Sequence, residues 1–182
     1  MSPEIKNILR SELDTSAEKL SLNITKNKGF DSCTQVCEWL DGTWLESYVL
    51  QEVQKIQNEF GIKESMMSFH IKLKNFKDKD RFEFDVAFIK GYQLFVISCT
   101  TSNNKSLCKE KLFEAHLRAR QLGGDEARVA LVCCFHEPEW IEKDLEFAIK
   151  DRKIKVFGKD DLMGLADGIA DWIELNQREA KA

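Results

Sequence analysis

A chain of 182 residues, 43% hydrophobic and 32% charged, carries enough apolar material for one domain and its core, with a small N-terminal appendage beside it. Its net charge of −4 excludes an all-over basic coat for nucleic acid but leaves space for a local basic groove. No run is long enough to span a membrane, and the opening MSPEIKNILRSELD lacks the apolar centre of a signal peptide, so the expectation is a cytoplasmic protein with no membrane partner.

Residues 1–30 read as a short helix expected over 3–13 and a looser stretch, LSLNITKNKG. Neither has enough apolar residues to fold alone, so they read as a helical appendage to a domain over 31–182. Val36, Trp39 and Leu40 recur at helical spacing after an N-cap at Asp31 or Ser32, and Asp41-Gly42 is expected to break that helix. A longer helix is predicted from 43 or 44 to 60, stopped by Gly61, burying Val49, Leu50, Val53, Ile56 and Phe60 with Leu45 at the edge. Carried back one turn, that stripe meets Glu46, which either points at the sheet or is simply favoured in a first turn by the helix dipole.

The stretch 66–76 alternates as a strand, with Phe69, Ile71 and Leu73 on one side and His70, Lys72 and Lys74 on a solvated other. The hairpin RFEFDVAFIKGYQLFVISCTT follows. Its first strand sets Phe82, Phe84, Val86 and Phe88 against Glu83, Asp85, Ala87 and Ile89, while LFVIS is continuously apolar, as for a strand covered on both faces. Asp85, in the middle of this hairpin, is expensive to bury unless something compensates its charge, and a metal ion is one such partner.

After Thr101, a polar turn offers N-caps to a helix ending at Leu122 before Gly123-Gly124, with Leu112, Ala115, Ala119 and Leu122 inward. A buried strand over 128–135, a helix opened by Pro138, a short strand over 154–157 and an amphipathic helix over 159–175 complete the chain. Six cysteines, at 33, 37, 99, 108, 133 and 134, form no Cys-x-x-Cys pair and lie at no zinc spacing from a histidine, so they read as free thiols. The whole is α/β: a mixed central sheet flanked by helices, its first three strands a meander.

Glu46 from a helix and Asp85 from a strand, beside a neighbouring strand ending Ser98-Cys99-Thr100, make a layout able to hold a divalent metal at a phosphoryl group. Here the chain resembles a family. GTWLESYV, FEFDVAFI with LFVISCTT, and KLFEAHLRARQLGGDEARVALV resemble the PD-(D/E)xK nucleases, in particular the nuclease domain of CRISPR-associated ancillary nucleases that carry a CARF sensor, over roughly residues 30–132. The resemblance implies a restriction-endonuclease-like fold, Mg²⁺ or Mn²⁺ as cofactor, DNA or RNA as substrate, homodimers, a role in antiviral defence, and Glu46 and Asp85 at the metal site. Relatives are switched by cyclic oligoadenylates. This chain has no room for a complete CARF sensor, so that ligand is not carried over and a sensor is expected on a separate chain or in a longer protein.

The family's second motif strand carries an acid, one residue, then a lysine; here those places hold Ser98 and Thr100. A hydroxyl at Ser98 is a weaker ligand for a hard cation, and Thr100 supplies no positive charge, a loss worth on the order of 10²–10³ in rate. Three replacements are expected as candidates. Glu83 shares a face with Asp85; Lys109 or Lys111 reaches back from the following helix as a relocated lysine, with Lys111 favoured; Gln121 and Arg128 contact phosphate or brace the site. Two functions follow: a metal-dependent endonuclease using Glu46, Asp85, Ser98 and Lys111, or a catalytically inactive descendant that binds nucleic acid or a partner protein.

Overall fold

The structure, a computed structural model, describes residues 39–72, 81–149 and 154–179. The expectations for 1–38, Leu73 and Lys74 lie outside the described residues. The chain divides into two compact units, Met1–Trp44 and Leu45–Ala182. Of the first, Trp39–Thr43 forms a turn of π-helix that runs directly into the next helix, so Asp41-Gly42 does not end a helix as expected. Glycine weakens a helix without forcing the chain out of it, and here it lies within the wider turn.

Helix α1 (Trp44–Phe60), which but for its first residue belongs to the second unit, ends at Gly61, whose φ of 63° is the left-handed stop that glycine allows. Its buried stripe is Leu45, Val49, Val53 and Ile56; Leu50 and Phe60 are half-buried beside it. Strands β1 (Ile62–Lys72), β2 (Arg81–Lys90) and β3 (Gln93–Thr100) form an antiparallel meander, β2 turning into β3 through Gly91 at φ 62°. After α2 (Lys105–Gly123), β4 (Arg128–Cys133) lies parallel to β3; after α3 (Pro138–Ile149), β5 (Ile154–Phe157) lies parallel to β4. The five-stranded sheet therefore runs β1-β2-β3-β4-β5. The closing helix comes in two pieces, a 3-10 turn over Lys159–Gly164 and α4 (Leu165–Glu179).

One face of the sheet packs on α2 and α3, where Val96, Val129, Leu131 and Val156 meet Cys108, Leu112, Ile141 and Leu145. On the other face Phe95 meets the Trp172 ring of α4, and α1 is tied to the turn before α4 by the Tyr48 hydroxyl donating to the Leu162 carbonyl. Asn104 caps α2 by accepting from the N–H groups of Ser106 and Leu107. At the other end of α2 the expected inward Leu122 is 47% exposed. Gly123 takes the inward place instead: a Cβ there would stand 2.9 Å from the Leu94 Cβ, so only glycine lets the helix end approach so closely.

Candidate functional site

The alternation expected along β2 fails at Asp85. Phe82 and Phe84 join Ala87 in the core under α2, whereas Phe88 stacks on Phe95, on the face where Phe95 meets Trp172 of α4. The four apolar side chains read as one face are thus split between two. β1 changes phase at the same level: Met67 accepts from Ser47 of α1 at 3.8 Å, while Phe69 stacks on Phe84 at 6.2 Å on the α2 side. Between them Ser68 has φ 51°, the one positive-φ residue other than glycine among those described. With Met67 opposite Val86 and Phe69 opposite Phe84, Ser68 lies across from Asp85. Two strands that kink together in this way aim polar side chains where a regular pleat would bury phenylalanine.

The β2–β3 pairing stops at Val86↔Ile97, next to this kink. Beyond it the Asp85 carboxylate takes over from the backbone: Oδ2 accepts from the Ser98 hydroxyl at 3.0 Å and from the Cys99 N–H at 2.6 Å. Those two donors offset the cost of half-burying an acid inside a sheet. Both fall on Oδ2, so neither engages Oδ1.

Glu46, in the first turn of α1, is half-buried and accepts from the Ser68 hydroxyl at 3.5 Å. Burial, and then the negative charges of Asp85 and Glu83, hold its carboxyl above its ordinary value, with the Lys111 ammonium opposing them. Lys111 donates to the Cys99 carbonyl at 3.3 Å, so the ammonium turns back onto β3. A cleft of about 190 Å³ opens here, lined among others by Glu83, Asp85, Ser98, Lys111, Glu114 and Arg118. The Cys99 thiol, fully buried beside Asp85 and Glu46, is pushed well above the usual thiol range, which keeps it protonated and unsuited as a nucleophile.

Of the other anticipated residues, all but Glu83 separate from this group. Lys109 pairs with Asp144 of α3 at 3.2 Å, an acid it shares with Lys105 at 2.9 Å. Thr100 Oγ1 accepts from the Ser102 N–H at 3.3 Å in the turn toward α2. Gln121 is exposed and accepts from Arg118 at 3.4 Å. Arg128 is buried at the other end of β3, opposite Phe95, donating to the Glu126 carbonyl at 2.7 Å. Glu83 stands on the cleft wall with His70 at 3.5 Å. Glu114 and Arg118 are site residues that the sequence analysis does not single out, though Lys111, Glu114, Ala115 and Arg118 follow the three- and four-residue steps of a single helix face, which is the available signal.

Among the described residues no three His, Cys, Asp or Glu side chains gather closely enough to cage a metal. The donor set still fits a hard cation. Mg²⁺ keeps most of its waters and takes only one or two carboxylates, and Glu46 with Asp85 are two mutually repelling carboxylates whose field a cation would relieve.

The family described as Card1-like, endonuclease domain, matches residues 33–176. Among solved structures, the chain is similar to Can2 from Sulfobacillus thermosulfidooxidans in complex with cyclic tetra-adenylate, with TM-score 0.63 and 18% identity over 93% of this chain and 51% of that one. It is also similar to protein VC1899 from Vibrio cholerae, with TM-score 0.62 and 20% identity over 96% of this chain and 52% of that one. The chain therefore spans about half the length of these neighbours, and at such identities the likeness shows the fold, an α/β sheet flanked by helices. Among curated proteins, none matches.

Proposed function

The chain belongs to the Card1-like endonuclease domain family, and from that premise we propose that it is a divalent-metal-dependent endonuclease hydrolysing phosphodiesters of DNA or RNA. In this reading Glu46 and Asp85 are the metal-side carboxylates, Ser98 is a neutral oxygen beside them, and Lys111 is the cation at the attacked phosphate. One observation carries it: where β2 leaves β3, Cys99 donates its N–H to Asp85 and accepts from Lys111 at its carbonyl, while Ser68, across from Asp85, donates to Glu46.

Mg²⁺ or Mn²⁺, held by Asp85 and Glu46, would polarise a phosphoryl oxygen and lower the pKa of a bound water. The chain's own groups do the rest. The Ser98 hydroxyl and Cys99 N–H fix the Asp85 carboxylate before substrate arrives, so little reorganisation is left for the reaction. Lys111 supplies from α2 the positive charge missing at Thr100. Arg118, its guanidinium 5.1 Å from the Phe82 ring, gives the cleft wall a second cation for the strand's backbone. In a chain of net charge −4, affinity for nucleic acid then rests on such local cations and falls with salt. A homodimer acting in the cytoplasm in antiviral defence, governed by a sensor on the same or a separate chain, belongs to the same proposal. No described helix is long and apolar enough to cross a membrane.

Incubation of the pure chain with supercoiled plasmid and with single-stranded RNA, in Mg²⁺ or Mn²⁺, tests it. Cleavage lost by at least about 10² in Asp85→Ala is expected. No cleavage of either substrate, or cleavage indifferent to Asp85→Ala, removes the reading. A second reading is favoured by the hydroxyls at the two substituted positions, both spent on structure: Ser98 on Asp85, Thr100 on the turn. It makes the domain an inactive descendant that binds nucleic acid or a partner protein. Its signature is metal-independent binding that weakens steeply with salt, without cleavage.

A further inference from the structure

The α2 wall of the cleft places Glu114 between two cations, three residues after Lys111 and four before Arg118. Such neighbours lie about 5–6 Å apart at Cβ and ordinarily pair with an acid. Here neither does. Lys111 is turned to the Cys99 carbonyl, Arg118 lies over Phe82 and donates to Gln121, and no described residue forms a hydrogen bond or ion pair with Glu114. An exposed carboxylate on the cleft wall is thus left with its rotamers open and the cleft before it. Ser98, where β3 has a hydroxyl in place of an acid, lines the same cleft.

We propose that Glu114 supplies from α2 the carboxylate that β3 lacks at Ser98, so that a divalent cation in the cleft is held by Asp85 and Glu114, with Glu46 behind them. The pair Lys111 and Glu114, one helical turn apart, then stands in for the pair of positions Ser98 and Thr100. The other acid on the wall, Glu83, is the weaker candidate because His70 already faces it at 3.5 Å. The proposal rests on the nuclease reading of the cleft and adds to it a ligand on a different element. Among the described residues the three acids are not gathered into a cage, and the proposal requires the exposed Glu114 side chain to turn toward Asp85.

Mn²⁺ titrated calorimetrically into the full chain tests this without recourse to activity. Loss of outer-shell support alone costs about 10–100-fold in metal affinity, so Glu114→Gln is expected to weaken Mn²⁺ binding by at least about tenfold, Asp85→Asn by as much or more, and Glu83→Gln by less than about twofold. Adding Ser98→Asp to Glu114→Gln returns a carboxylate to β3 and is expected to recover most of the loss, a rescue that a merely structural Glu114 would not give. Wild-type affinity in Glu114→Gln beside weakened Asp85→Asn overturns the role of Glu114 and leaves the nuclease reading standing. No Mn²⁺ binding by the wild type, or an Asp85→Asn variant equal to it, overturns both.

Discussion

β3 has two unlike neighbours. Against β4 it pairs without interruption from Phe95↔Arg128 to Thr100↔Cys133, and every residue of β4 is buried. Against β2 its pairing ends at Val86↔Ile97, and the next link is an aspartate side chain bonded to the Cys99 N–H. The parallel half is an unbroken, buried ladder with helices on both faces; the antiparallel half gives up its pleat at Ser68 and Asp85. The contrast separates two jobs within one sheet. Regular pairing holds the fold, and in the proposed reading the irregular segment presents chemistry.

The sharpest test of that separation lies in the regular half. Leu131 is fully buried under α2, and Leu131→Ala is expected to cost about 2–5 kcal/mol in denaturant unfolding while cleavage per folded molecule stays at the wild-type level. Activity falling much faster than the folded fraction would show that the two halves are not separable. In the irregular half the expectation reverses. Lys111→Met should lower cleavage by on the order of 10²–10³ at nearly unchanged melting temperature. Lys109→Met, two residues away, should change cleavage less than about twofold, because Lys105 still holds Asp144 at 2.9 Å and an exposed pair is worth about 0–1 kcal/mol. Equal losses in the two variants would mean that positive charge on α2, rather than the place of Lys111, is what matters.

Ser68→Gly probes the kink itself. A side chain in the left-handed region costs about 1–2 kcal/mol, glycine gives part of that back as unfolded-chain entropy, and the Ser68–Glu46 bond at 3.5 Å is too long to weigh much. Chemical denaturation is expected to show a gain of about 1 kcal/mol or less. A loss would mean that the serine hydroxyl, and not the sheet around it, holds the two strands in their changed phase.

The regular half was legible in the sequence because its signals are local. Continuous apolar runs in LFVIS and RVALVC, Pro138 at a helix start and glycines at helix ends are each decided within a few residues. The change of face in β2 was not legible: Phe82, Phe84, Val86 and Phe88 do alternate in sequence, and only the loss of β3 pairing beyond Val86 turns the first two from the last. Glu46 was legible as the backward extension of a helix stripe, and Lys111 only as one of two lysines on α2. What sets Lys111 apart from Lys109 is the carbonyl at Cys99 against the carboxylate at Asp144, groups 12 and 35 residues away along the chain. Glu114 and Arg118 went unseen as site residues because charges on a helix face are most often solvated, and their spacing from Lys111 gains meaning once Lys111 is placed.

The smallest expected effect tests whether the irregular half carries an electrostatic cost of its own. Burial and the nearby Asp85 raise the Glu46 carboxyl above its ordinary value of 4.5, so between that value and the raised one the folded chain binds more protons than the unfolded. Stability then falls as pH rises through this window. The penalty is absent below the ordinary value and fully present above the raised one. Glu46→Gln removes it, so the metal-free variant is expected to melt slightly higher than wild type at neutral pH, with the difference disappearing in acid. Mn²⁺ should oppose the penalty in the wild type alone, because a cation between Glu46 and Asp85 relieves the repulsion that the amide never had. A melting difference that is the same at every pH would assign the effect of Glu46 to packing and leave its approach to Asp85 without energetic consequence.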